Sequence, residues 1–244
     1  MANIDRFVML SRNRIVSVVS WLAICFCMST TYLAIKAGSF EYEAAGDVAA
    51  QLKVGLEGAA NLKWMMLSDM FGFYLFSVPA AIYLWMNFKQ ENPFLVSLAT
   101  VAGLFFALVG AIGAAILSVA WPVLTIATAN ATDPVSVQIY TELFRTITMF
   151  VQDGMWGRLE FFLSGIWYVG LAVVIWPHRK WFATITFLNG VFALLSSAAK
   201  ILDAGEIAGV GLQGVLYATP IWFFWLGVLA WQGKVKEPKV SYSS

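Results

Sequence analysis

Asp69 is the residue whose position most demands a chemical explanation. It lies in Lys63–Trp85, KWMMLSDMFGFYLFSVPAAIYLW, an apolar run long enough to cross a bilayer, with Pro79 further along it. A carboxyl inside such a run is costly, so it marks a functional site or an ion pair. Lys63, six positions away, falls about 120° round a helix from it and is no helical partner. Asp69 therefore needs a group on another helix, an ordered water or a proton. Lys36, Arg158 and Lys200 stand at a similar depth near the ends of other apolar runs, with Glu160 as a second acid. These five form a candidate polar cluster: a pocket that binds a solute or handles protons, or a layer of ion pairs pinning helix ends together. Asn189, near the middle of another apolar run, is the sixth candidate. A midplane amide either binds a ligand or hydrogen-bonds across to a neighbouring helix.

Other motifs carry less. His178, the single histidine, sits in Pro177-His-Arg-Lys180 and reads as solvated. One histidine excludes a bis-histidine haem and a multi-histidine zinc or copper site. Cys25 and Cys27 lie in an apolar run, where thiols behave as small hydrophobes, and no second ligand pair accompanies them. Gly209-Val-Gly-Leu-Gln-Gly214 has the letters of a dinucleotide fingerprint, but no strand precedes it and no acid follows at about 20 residues. Close helix packing is the better reading. There is no nucleophile elbow, no HExxH and no phosphate loop, and no cofactor is expected.

The elements that position these residues follow from composition. The chain is 60% hydrophobic and 12% charged, whereas soluble domains are about a quarter charged. The apolar excess is spread along the whole chain, which is the signature of a membrane protein. A net charge of +1 without a basic run gives no reason to expect nucleic acid. Six segments reach spanning length: Ile15–Ile35, Lys63–Met86, Phe94–Ala120, Leu159–Trp176, Trp181–Ala199 and Ile207–Trp231. The expected fold is an all-α, polytopic bundle of six transmembrane helices over residues 15–231. A segment 1–14 precedes it and a tail 232–244 follows. Short connectors at Asn87–Pro93 and Pro177–Lys180 make antiparallel hairpins.

Arg6, Arg12, Arg14, Lys89, Arg179, Lys180, Lys234, Lys236 and Lys239 fall on one side, with Asp5, Glu91 and Glu237. The other side holds Glu41, Glu43, Asp47, Glu57, Asp133, Glu142, Asp153, Asp203 and Glu206. The positive-inside rule then puts both termini in the cytoplasm. Val135, Ile139, Leu143, Ile147 and Val151 recur at helical spacing, which predicts a helix lying on the outer interface between spans three and four. Asp133 before Pro134 supplies its N-terminal cap. Trp21, Trp64, Trp85, Trp121, Trp156, Trp176, Trp181 and Trp231 fall near span ends, as an interfacial aromatic belt requires. The stripe Gly103, Ala107, Gly110, Ala111, Gly113, Ala114 suits close helix packing.

Leu67-Ser-Asp-Met70, Ala81-Ile-Tyr-Leu84, Gly165-Ile-Trp-Tyr-Val-Gly170 and Leu188-Asn-Gly190 together resemble a bacterial family of six-helix membrane proteins without an assigned activity. The turn Pro177-His-Arg-Lys180 departs from that family's Ser-Gly before a Leu-Pro. The resemblance implies a multi-pass protein of the bacterial cytoplasmic (inner) membrane, and no site residue carries over from it. With no catalytic constellation in the sequence, the expected function is a binding module or an accessory subunit of a membrane complex. Its partners would be membrane lipids and other membrane-protein subunits. The alternatives are a small-solute or ion transporter using the charged cluster, and an intramembrane lipid-modifying enzyme using Asp69, Asp153 or Glu160.

Overall fold

The computed structural model describes residues 2–37 and 48–236, with side chains from residue 10 and from residue 51. Glu41, Glu43, Asp47, Glu237 and Lys239, and the side chains of Asp5 and Arg6, lie outside the described residues. Among the described residues the chain is all-helical. Six rods are long and apolar enough to cross a membrane: α1 (Ala2–Lys36), α2 (Gln51–Phe88), α3 (Pro93–Asn130), α4 (Pro134–Ile175), α5 (Lys180–Ile201) and α6 (Gly205–Trp231).

Each rod packs on its neighbours in sequence, and α6 packs back on α1, so the six antiparallel rods form a ring in chain order. An even number of crossings returns the end of α6 to the end where α1 begins. There the Arg12 guanidinium stands 5.4 Å from the Tyr83 ring centre and that of Arg14 4.3 Å from the Trp231 ring. The two short turns meet at this hairpin end. Glu91 takes Lys236 at 2.6 Å and His178 at 3.7 Å, and Arg179 Nε donates to the Lys234 carbonyl at 2.8 Å. His178 is thus not solvated as its sequence context implied. Its side chain is 8% exposed, held between Glu91 and the Phe88 ring.

The rods differ in length, and that shapes the opposite end. α2 and α3 have 38 residues and α4 has 42, or about 57–63 Å at 1.5 Å per residue, against a hydrocarbon core of about 30 Å. At the end away from the hairpins all three project beyond α5 and α6. The spans read from hydropathy stop where the apolar run stops, but helical hydrogen bonds do not need hydrocarbon and the rods continue. The helix expected over Val135–Val151 is the first part of α4. It runs as α-helix through Pro134–Met149, as π-helix through Phe150–Glu160 and as α-helix again through Phe161–Ile175. Trp121, assigned to the interfacial belt, is instead fully buried between α3 and this extension. It stacks on Phe144 at 6.0 Å, and its Nε1 donates to Thr148 Oγ1 at 2.8 Å. Trp176, Trp181 and Trp231 remain exposed near rod ends, whereas Trp64, also exposed, lies well inside α2.

Local signals hold where they were strongest. Asp133 Oδ1 accepts the Ser136 amide at 2.8 Å with Pro134 opening the helix, and Asn92 does the same for Leu95 at 3.1 Å. Gly211 faces the α5 backbone, where an added Cβ would meet Ser196 N at 2.6 Å, so the glycine motif is a packing device.

The Asp133 cap gives a test with a defined sign. Hydrogen bonds from Ser136 hold its carboxyl below the usual aspartate range. A pKa lowered in the folded state stabilises above the ordinary range, and that contribution is lost as pH falls through the lowered value. Asp133→Ala is expected to raise amide exchange over the first turn of α4 at neutral pH, measured by hydrogen–deuterium exchange. The gap between variant and wild type should close in acid.

Candidate functional site

From mid-depth to the hairpin end, aromatic side chains fill the middle of the ring. Phe106 stacks on Trp167 at 5.6 Å, Trp167 meets Trp222 edge-on at 5.5 Å, and Trp222 stacks on Phe182 at 5.9 Å. The Trp222 indole is satisfied by donating to Thr186 Oγ1 at 3.0 Å, as a buried N–H requires. Toward the other end the centre is hollow. A cavity of about 790 Å³ opens there, and all six rods contribute to its lining. Gly205 and Thr219 of α6 both line it, so it reaches about 21 Å along that rod.

Two of its walls are wound as π-helix. α2 is α-helical to Asp69, then π-helical over Met70–Leu75, and resumes at Ser77. Pro79, in the first turn of the resumed helix, has no N–H for the Leu75 carbonyl, so the regular ladder cannot pass through this point. Phe76 N instead bonds Phe71 O, five residues back, at 3.1 Å. In a π turn residues five apart share a face, which brings Tyr74 beneath Asp69. On α4 the lining residues Gln152, Trp156, Glu160, Ser164 and Tyr168 rise at intervals of four. An α-helical row of that kind drifts by about 40° per step. The wider π turns of Phe150–Glu160 drift the other way and keep the row facing inward.

The polar centre spans the ring from α2 to α4. Tyr74 Oη donates to Glu160 Oε2 at 3.1 Å. Asp69 and Glu160 are 8% and 2% exposed and line the same cavity. Glycines on α3 set this geometry. Gly110 admits the Tyr74 ring and Gly113 the Trp156 indole against the α3 backbone, and Trp156 Nε1 donates to Gly110 O at 3.3 Å. At the rim, Lys200 Nζ donates to Asp153 Oδ1, and Glu206 also lines the cavity. Deeper in the bundle, Asn189 Nδ2 donates to Thr219 Oγ1 at 3.1 Å, with Thr219 and Tyr168 on the cavity wall.

Of the six residues singled out from sequence, Asp69, Glu160 and Lys200 line this one cavity. Lys200 is engaged by Asp153 rather than by Asp69. Arg158 is exposed, facing a side recess shared with Asp203 and Lys200, while its carbonyl accepts Ser197 Oγ at 2.8 Å. Lys36 is exposed on the last turn of α1. Asn189 is fully buried against α6. Tyr74, Trp156, Tyr168 and Thr219 were not singled out as site residues. The signal for Tyr74 is Pro79 five residues on, which forces the π turn; aromatic composition alone does not distinguish Trp156 or Tyr168 from core. The fold is a bundle of six helices long and apolar enough to cross a membrane, with a central, acid-lined cavity. No protein-family model, curated protein or solved structure matches the chain, so the resemblance drawn from short motifs adds nothing to this site.

The close approach at Gly110 can be tested directly. Gly110→Leu should displace Tyr74 and Trp156 and destabilise the protein by about 1–3 kcal/mol through overpacking, read as a lower midpoint in thermal unfolding in detergent. Val119→Leu, at a site 64% exposed, should leave the midpoint unchanged.

Proposed function

We propose that this protein is a membrane-embedded binding protein that takes a small molecule into the central cavity from the outer face of the membrane. The observation that carries this is the cavity itself: about 790 Å³, walled by all six rods, with two buried carboxyls and a tyrosine converging on it. Ligand sites are typically concavities of about 300–1,000 Å³, mostly apolar with a few converging polar groups. The orientation follows from charge. Arg12, Arg14, Lys89, Arg179, Lys180, Lys234 and Lys236 gather at the hairpin end, which is therefore read as cytoplasmic, as in a bacterial inner membrane. The exposed apolar face of the first α4 turns, Val135, Ile139 and Leu143, is read as the part that meets the outer membrane interface.

A transporter is the second reading, and a specific feature favours it. Both rods that carry the carboxyls depart from α-helix beside them, and Pro220 follows Thr219 at the cavity floor. Departures of this kind are frequent at functional sites and in moving membrane helices. Cycling between outward and inward access would separate transport from binding alone.

Cysteine access tests both readings. In a Cys25→Ala, Cys27→Ala background, Ser164→Cys on the cavity wall should react in intact cells with a membrane-impermeant maleimide. Lys89→Cys should react only after permeabilisation. Gly209 lines the cavity with no atom within 4 Å of an added Cβ, so Gly209→Trp should slow labelling of the Ser164→Cys protein. An unlabelled Ser164→Cys would end the outward-open reading; labelling from both faces would favour the transporter.

A further inference from the structure

We infer that the molecule held in this cavity is an organic ammonium, with its cation seated between the Glu160 and Asp69 carboxyls and against the Tyr74 and Trp156 rings. The inference rests on the cavity being a binding site.

Charge is the first argument. Among the described lining residues the basic side chain is Lys200, and it is engaged by Asp153 at the rim. Below that neutral pair the ionisable groups of acid type are Asp69 and Glu160, so the interior favours a positive guest. The walls decide which kind. Phe73, Phe106, Phe161 and Met65 give that interior a largely apolar surface. A small inorganic cation would have to shed its water there with few oxygens to replace it, which is costly. An alkylated ammonium carries its charge on a carbon-clad surface and suits an apolar wall. Aromatic faces add a specific attraction, because a cation within about 6 Å of a ring centre is drawn to its quadrupole. Tyr74 stands 6.2 Å from Trp156 and 5.6 Å from Phe106, centroid to centroid, so three rings gather beside the Glu160 carboxyl.

The cavity also sets the length of its guest. The Tyr168 side chain lines it while the hydroxyl is sealed away from it against the Asn189–Thr219 pair. Tyr168 lies two turns below Glu160, about 12 Å along the rod. The space therefore admits an elongated guest, with an ammonium at the carboxyls and a chain reaching toward the Tyr168 ring. Such a headgroup belongs to free organic amines and esters of amino alcohols, and also to zwitterionic lipids.

The experiment uses the full-length protein in an amine-free maltoside detergent and isothermal titration calorimetry. Acetylcholine is compared with its neutral carbon isostere, 3,3-dimethylbutyl acetate. Acetylcholine should bind at least about tenfold more tightly than the isostere. Glu160→Gln should erase that preference while retaining the isostere. The variant is first required to elute as a monodisperse peak with an unchanged helical spectrum. A lipid arm follows native mass spectrometry of the protein with phosphatidylethanolamine or phosphatidylglycerol. Retention of phosphatidylethanolamine in wild type but not in Glu160→Gln would support the inference and assign a bilayer source. Equal binding of acetylcholine and its isostere would overturn the ammonium while leaving a binding cavity in place. Binding of neither compound and no preference for the ethanolamine lipid, with Ser164→Cys still labelled from outside, would likewise overturn only the ammonium. If Ser164→Cys is also closed to the reagent, both readings fall.

Discussion

Joining six helices into a ring creates a volume problem that the rest of this molecule answers. In a regular ring of six, the centre lies as far from each axis as neighbouring axes lie from one another, about 8–10 Å. That leaves room for a seventh helix which the chain does not supply. Ordinary aliphatic side chains cannot reach across it. The hairpin half is closed by the largest side chains available, Trp167, Tyr168, Trp222 and Phe223, all within 1% of complete burial. The other half is left hollow, and its polar residues face the hollow rather than lipid. Within a bilayer this is the arrangement that lets a carboxyl exist inside a span at all.

The same constraint explains why glycine and tyrosine occur together. Tyr74 has to pass α3 to reach Glu160 on the far wall, and α3 offers Gly110 where its ring passes. Trp156 uses Gly113 in the same manner and is locked by its bond to the Gly110 carbonyl. A stripe that reads as helix-packing surface thus accommodates aromatic rings from α2 and α4, and backbone–backbone approach is confined to places such as Gly211. The π segments serve the same end. By changing the number of residues per turn where the cavity begins, they aim Tyr74, Trp156 and Glu160 at one space. Rods of uniform α-helix would distribute them round the surface.

How much of this is visible in the sequence depends on which physical rule governs each feature. Six apolar runs, the antiparallel hairpins and the Asp133 cap follow from local preferences, and they stand. The depth of Asp69, Glu160 and Lys200 also follows from counting residues along helices, and the three do line one cavity. What pairs with what was not legible. Lys200 and Asp153 meet because α5 packs on the π part of α4, and no spacing rule for α-helices foretells that contact. Tyr74 was hidden for a related reason: five residues from Asp69 is the wrong face of an α-helix and the right face of a π-helix. Arg158 and Lys36 share the depth of the site but point away from it. Depth is a one-dimensional property that the chain records, whereas azimuth depends on how each rod turns.

The length of α5 matches one hydrocarbon thickness. Lys180 and Lys200 open and nearly close a rod of 22 residues, and the 20-residue interval between them spans about 30 Å, the thickness of the hydrocarbon core. The Lys200–Asp153 pair thus stands one such thickness from Lys180, at the open end of the cavity. Glu160 lies further in along the π-helical part of α4 and is 2% exposed. The rim pair and the buried carboxyls therefore do different work, although both are made of the same residue types. The first is satisfied internally and stabilises the meeting of α4 and α5. The second, with Tyr74 as the donor to Glu160, ties α2 to α4 beside the cavity.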